Sequence, residues 1–124
     1  MNNKLVTLVI GASERTERYS NMAIRSLLQH GHEVLAIGSR PGETMGISWG
    51  KEKREWDQQV DTITLYINPR IQQEYYDYIL SLNPRRVIFN PGTENPELMD
   101  LLQKNGIEVV PACTLVMLSI GNFA

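Results

Sequence analysis

The 124 residues hold one cysteine, Cys113. A lone thiol excludes an internal disulfide and fits a reducing compartment. Histidine is nearly as scarce, with only His30 and His32. No His, Cys, Asp or Glu grouping has the spacing of a metal-ligand set, so no metal is expected. Positive charge is not in excess either: 12 Lys and Arg face 14 Asp and Glu, a formal net charge of −2. That balance excludes the broad basic face that nucleic-acid binding requires. No apolar run approaches the roughly 20 residues of a membrane-crossing helix. The run after Met1-Asn2-Asn3-Lys4 is too short for a signal peptide. The expectations are a cytoplasmic protein with neither nucleic acid nor membrane as partner.

Hydrophobic residues make up 42% and charged residues 21%, a balance that suits a buried core in a water-facing shell. The length suits one domain, residues 1–124, with enough chain for a three-layer core. Residues 4–10 read as a strand that is apolar on both faces and therefore central. Ser20 or Asn21 then caps a helix that runs to about His30 and stops at Gly31. Residues 32–37 form a second strand. Residues 38–56 show no helical periodicity; Gly38, Gly42, Gly46 and Gly50 recur at intervals of four without matching neighbours, which reads as loop. Residues 62–67 are a third strand. Pro69 opens the next helix, whose apolar face is Ile71, Tyr75, Tyr78, Ile79 and Leu82. Residues 86–89 are a fourth strand. Asn95-Pro96 is a cap followed by the favoured first helical residue, with Leu98, Leu101 and Leu102 as the buried stripe. Gly106 ends that helix, residues 107–110 are a fifth strand, and residues 114–120 a short closing helix.

Strands alternating with helices predict an α/β fold: a five-stranded, mainly parallel sheet with helices on both faces. Such sheets bind ligands outside the carboxyl ends of their strands. Those ends are Gly11-Ala12-Ser13, Gly38-Ser39-Arg40, Asn68-Pro69 and Asn90-Pro91-Gly92. At the first, a strand end and a helix start face one another, where free N–H groups and the helix dipole favour a phosphate. Gly11 lets backbone come close there, so Gly11→Val is expected to block a ligand without unfolding the domain. Arg18, just before the helix, is the stronger phosphate candidate, with Arg15 behind it. An NAD site would place Asp or Glu after the second strand to hold a ribose hydroxyl. Ser39 and Arg40 stand there instead and suit a phosphorylated ribose, which coenzyme A and NADP both carry. His30 and His32 fall at the opposite edge. Cys113 has no histidine near it in sequence and reads as a small packed residue. Trp49 and Trp56 read as cover for a core edge, and Lys51, Lys53 and Arg54 with Glu52 and Glu55 as a solvated face. No catalytic residue is assigned.

The sequence resembles the CoA-binding domain family, small Rossmann-like proteins similar to the nucleotide-binding half of succinyl-CoA synthetase α subunits. The matching residues are Val9-Ile10-Gly11-Ala12-Ser13, Arg18, Gly31, the strand after it and Val60-Asp61. Asn90-Pro91-Gly92, Asn95, Gly106-Ile107-Glu108-Val109-Val110 and Cys113 complete the match, which spans nearly the whole chain. The resemblance implies a three-layer Rossmann-like fold and a stand-alone binding domain without proven chemistry of its own. Many relatives end the second strand in Val-Asn-Pro, where this chain has Gly38-Ser39-Arg40-Pro41. The chain also lacks the second domain in which ligase relatives carry a phosphorylated histidine.

The reading is therefore a non-catalytic domain that binds coenzyme A or an acyl-CoA. Its expected contacts are Gly11, Ala12, Ser13, Arg18, Ser39, Arg40, Asn68, Asn90, Pro91 and Gly92. Two alternatives stand beside it: an NADP-binding oxidoreductase-like protein, and a regulatory or interaction module with a vestigial pocket. The oligomeric state and any partner protein are left open.

Overall fold

The computed structural model describes residues 5–124; the expected start of the first strand at Lys4 lies outside them. The elements are β1 (Val6–Ala12), α1 (Tyr19–Gln29), β2 (Glu33–Gly38), β3 (Gly42–Thr44), β4 (Ile47–Trp49) and β5 (Thr62–Leu65). They continue with α2 (Pro69–Gln72), a 3-10 turn (Gln73–Tyr75), α3 (Tyr76–Leu82), β6 (Arg86–Phe89), α4 (Pro96–Lys104), β7 (Glu108–Val110) and α5 (Thr114–Ser119). Five strands form one sheet in the order β2-β1-β5-β6-β7, and every neighbouring pair in it is parallel. The fold is α/β and Rossmann-like.

Alternate residues of the strands feed separate cores. Leu8 and Ile10 of β1 join Ile37, Ile63, Leu65, Val87 and Phe89 under Ile79, Leu98 and Leu102 of α3 and α4. Val9 turns the other way, with Ala36 and Ile88, onto Ile24 and Leu27 of α1 and Met117 and Leu118 of α5. Burying each such large aliphatic side chain stabilises the fold by about 1.5–3 kcal/mol. The unbroken apolar runs of β1, β5 and β6 follow from cover on both faces. Asn68 and Asn95 cap α2 and α4 through side-chain oxygens that accept from the N–H groups of Ile71 and Leu98.

Residues 38–56, expected to be loop, contain an antiparallel hairpin, β3 with β4. Its two-residue turn is Met45-Gly46, with φ of 51° and 84°. Positive φ at both positions is the type I′ geometry that matches strand twist. Met-Gly lacks the Asn or Asp that usually announces this turn, which hid the hairpin in the sequence. No helix covers the crossover from β2 to β5. The hairpin and the segment after it do, with Trp49 only 5% exposed and Trp56 packed on the α3-side core.

The start of α1 also differs from expectation. Neither Ser20 nor Asn21 caps it. Arg18 holds the N-cap position without a side-chain hydrogen bond, and Ser20 and Asn21 are buried within the helix.

The amino edge of the sheet is closed by charge. Arg85 grips Asp61 with two bonds of 2.9 and 3.0 Å. Burial pushes the Asp61 carboxyl up, but hydrogen bonds from Arg85 and Thr62 and the Arg85 charge outweigh it and hold the group below its ordinary value. Arg86 is buried, donates to Thr62 Oγ1 and the Phe123 carbonyl, and lies 4.5 Å from the centre of the Phe123 ring. His32 packs against the same ring, with ring centres 4.9 Å apart.

Burial, then the charges of His30 and Arg86, lower the His32 pKa below its ordinary 6.5. The folded state thus prefers the neutral ring, and the unfolded chain takes up the proton more readily. His32 therefore contributes stability that is fully present above 6.5 and is lost as pH falls from there through the lower folded-state value. Urea unfolding midpoints at about pH 7.5 and about pH 5.5 should fall on acidification. His32→Gln should flatten that dependence; an equal fall in the variant would remove His32 as its source.

Candidate functional site

The chain leaves β1 toward β2 on one side and returns to β5 on the other. Loops therefore diverge at the carboxyl ends of β1 and β5, and a crevice opens between them. It is a cleft of about 550 Å³, within the size range of small-molecule sites. On one side it is lined by Gly11-Ala12-Ser13 with Glu14, Arg15 and Arg18 and by Gly38-Ser39-Arg40-Pro41, with Trp49; on the other by Tyr66-Ile67-Asn68 with Ile71 and Tyr75.

Gly11 shapes this lining. It sits at a break in the β1–β2 register, with φ of +102°. A Cβ there would lie 2.9 Å from both the carbonyl carbon and the oxygen of Tyr66. The close approach that requires glycine is thus made by the neighbouring strand's backbone. This corrects the expectation for Gly11→Val, whose side chain would strike Tyr66 and disturb the fold itself.

The loop from Ser13 to Arg18 is fastened from behind. Asn21 donates to the Ser13 carbonyl, and Arg25 to the Thr16 carbonyl. Arg15 N–H bonds Ser13 Oγ, and its guanidinium pairs with exposed Glu17 at 3.0 Å. Arg18 and Arg40 form no ion pair among the described residues. With α1 uncapped beside Arg18, this side of the cleft offers two guanidinium groups and the positive end of a helix dipole.

The opposite wall is apolar. Ile71, expected to be buried in its helix face, is 36% exposed and lines the cleft with Ile67 and Tyr75. Trp49 fills the corner: Cβ atoms on Gly38 or Gly42 would come within 2.8 and 2.7 Å of its ring, and its indole N–H bonds the Arg40 carbonyl. Sequence reasoning missed Trp49, Ile71, Tyr75 and Glu14 as lining residues. The residual signal was the pairing of Trp49 with two glycines on the preceding stretch.

Of the expected contacts, the fold gathers Gly11, Ala12, Ser13, Arg18, Ser39, Arg40 and Asn68 around this cleft. It does not bring in Asn90, Pro91 and Gly92, none of which lines it. The Asn90 side chain donates to Thr64 Oγ1 and the Leu65 carbonyl and accepts from the Thr114 N–H. Its hydrogen-bonding groups are engaged in tying the end of β6 to β5 and α5, and Gly92 N–H bonds Glu94. Cys113 and the histidines also lie outside the lining. Tyr66 packs on the α1-side core, where burial pushes its hydroxyl up to about 12. Among the described residues no grouping of His, Cys, Asp and Glu could hold a metal, and no helix is long and apolar enough to cross a membrane.

Residues 6–119 match the family model for a CoA binding domain. Among solved structures, the chain is similar to a crystal structure of an uncharacterized protein, with 52% identity, a TM-score of 0.93, and coverage of 98% of this chain and 100% of the other. It is similar to cell-free ID.343 from Thermus thermophilus at 24% identity and a TM-score of 0.85, covering 97% and 91%. The dinucleotide forming acetyl-coenzyme A synthetase 1 of Ca. Korarchaeum cryptofilum, in complex with phosphate and ADP, shares the fold at 19% identity and a TM-score of 0.69. There 86% of this chain covers 25% of the longer protein. Among curated proteins, none matches the chain.

Gly11→Ala should cost about 2 kcal/mol or more of stability, through left-handed backbone strain and the contact with Tyr66. Arg18→Ala should change stability by no more than about 0.5 kcal/mol. Chemical denaturation of the two variants checks the contrast, and an unaltered Gly11→Ala midpoint would contradict the close approach.

Proposed function

The chain belongs to the CoA-binding domain family, and we propose that it binds coenzyme A or an acyl-CoA in the cleft at the carboxyl ends of β1, β2 and β5. One observation carries this reading: in a chain of net charge −2, Arg18, Arg40 and the uncapped start of α1 converge on a single crevice. An anionic ligand gains charge-assisted hydrogen bonds there.

The pyrophosphate takes the N–H groups of the Gly11-Ala12-Ser13 turn and the Arg18 guanidinium. The ribose 3′-phosphate takes Ser39 and Arg40. Asn68, which already caps α2 through its oxygen, offers its amide hydrogens at the β5 end. The apolar wall of Ile67, Ile71 and Tyr75 suits the base. No carboxylate follows β2 to hold the ribose diol of NAD.

The domain binds its ligand and does not transform it. The tyrosines that line the cleft stay neutral phenols: burial raises Tyr66, and burial with the Glu74 charge raises Tyr75. Neither suits proton transfer near neutral pH. A cytoplasmic setting, inferred from the lone Cys113, belongs to the same reading.

Calorimetry with CoA, acetyl-CoA, NADP and NAD should rank CoA or acetyl-CoA tightest and NAD weakest. Binding of NADP without CoA would favour the oxidoreductase-like alternative, and no binding at all a vestigial pocket. Arg18→Ala should weaken CoA by about ten- to a hundredfold, the loss of roughly 1.5–3 kcal/mol from a charge-assisted bond. Arg40→Ala should weaken CoA and spare dephospho-CoA. Equal losses for both ligands would show that Arg40 does not read the 3′-phosphate.

A further inference from the structure

We propose that Asn21 is the positioning residue of the cleft: it turns the loop of residues 13–18 toward the ligand and makes ligand affinity depend on the β3–β4 hairpin. The proposal rests on the reading of the cleft as a CoA site.

Asn21 is fully buried, and both its donors and its acceptor are used. Its amide nitrogen donates to the Ser13 carbonyl and to Thr44 Oγ1, each at 2.8 Å. Its oxygen accepts from Arg25 Nε at 2.9 Å. The Arg25 Nη2 then reaches the Thr16 carbonyl, also at 2.9 Å. Two carbonyls of the loop are thereby drawn toward α1.

The planar trans peptide converts that pull into an orientation. The carbonyl of one residue and the N–H of the next point in opposite directions. Fixing the Ser13 carbonyl on Asn21 aims the Glu14 N–H away from α1, and fixing the Thr16 carbonyl on Arg25 does the same for the Glu17 N–H. Neither N–H has an acceptor among the described residues. Glu14 lines the cleft, so its unpartnered donor is the one of the two that a phosphate oxygen there can take. Oriented donors of this kind bind anions without reorganising when the ligand enters.

The second donor of Asn21 extends the device to the hairpin. Thr44 is the last residue of β3. A second latch lies beside it, where Glu14 Oε2 accepts from the Glu43 N–H at 3.0 Å. The loop and hairpin are thus bound to each other at two points, one of them the buried amide. Loss of the Thr44 bond removes one of the three bonds that hold the Asn21 amide and loosens its grip on the Ser13 carbonyl.

Asn21→Leu keeps the shape and removes the hydrogen bonds without adding charge; Thr44→Val removes the hairpin bond alone. CoA and dephospho-CoA are titrated by calorimetry at several salt concentrations, with amide NMR on each protein. Asn21→Leu should weaken both ligands by the same factor, about tenfold or more, and Thr44→Val by about threefold. The salt dependence of affinity should match the wild type, because no phosphate-contacting charge is lost. At saturating CoA the Glu14 amide signal should move in the wild type and move less in Asn21→Leu. If Asn21→Leu does not fold, Thr44→Val decides alone. Unchanged affinity in a folded Asn21→Leu, or in Thr44→Val, would overturn the proposal while wild-type binding stands. A wild type that ignores CoA would instead overturn the reading of the cleft.

Discussion

The Tyr66 carbonyl occupies the space that a side chain on Gly11 would need. Because the end of β1 can lie against the end of β5, the sheet stays closed up to its carboxyl edge. The loops then part abruptly, one toward α1 and the other toward α2. The crevice is the consequence of that parting, and the start of α1 with Arg18 comes to its rim. A bulkier residue would push the strands apart at the level where the crevice opens.

The second constraint is the crossover from β2 to β5, which no helix covers. Trp49 does the work of a packed helix face there, its indole set against Gly38 and Gly42 and bonded to the Arg40 carbonyl. This packing places Ser39 and Arg40 at the cleft instead of letting them follow a helix away from it. The segment beyond is pinned on α3, where Trp56 donates to the Tyr78 hydroxyl and Tyr78 donates to the Arg54 carbonyl. Lys53 and Arg54 lie over the rings of Tyr75 and Trp56, so charges that read as a solvated face cover aromatic surface.

Buried polar groups fix the remaining ends. Asn90 joins β5, β6 and α5 through Thr64, the Leu65 carbonyl and the Thr114 N–H. Gln72 is buried between the Ile67 and Thr93 carbonyls and accepts from Asn95, tying the apolar wall of the cleft to the loop before α4. Satisfied networks of this kind specify one arrangement, because any other leaves buried donors unpaired. Tyr66 is an exception at the carboxyl edge: its hydroxyl is buried without a partner, while Thr64 and Thr114 bond each other at 2.8 Å.

The order of strands and helices was legible in the chain because it is written in local periodicity: the unbroken apolar run of β1, and the Asn-Pro pairs that open α2 and α4. The position of the cleft followed from that order, since parallel strands bring Gly11, Ser39 and Asn68 to one edge whatever their side chains do. Other roles could not be read locally. Asn21 looked like a cap and proved to be a clamp on Thr44, 23 residues away. Asn90, read as a ligand contact, bonds Thr64, Leu65 and Thr114, 24 to 26 residues away, and does not line the cleft. The hairpin turn at Met45-Gly46 lacks the Asn or Asp that announces its type, and the Glu43 carboxylate holds it by accepting from the Gly46 N–H. The sequence by itself determined the order of the five sheet strands with their helices, and the edge at which they end. Tertiary structure decided which polar side chains line the cleft and which are consumed by the fold, because a buried amide bonds whatever partner the packing delivers to it.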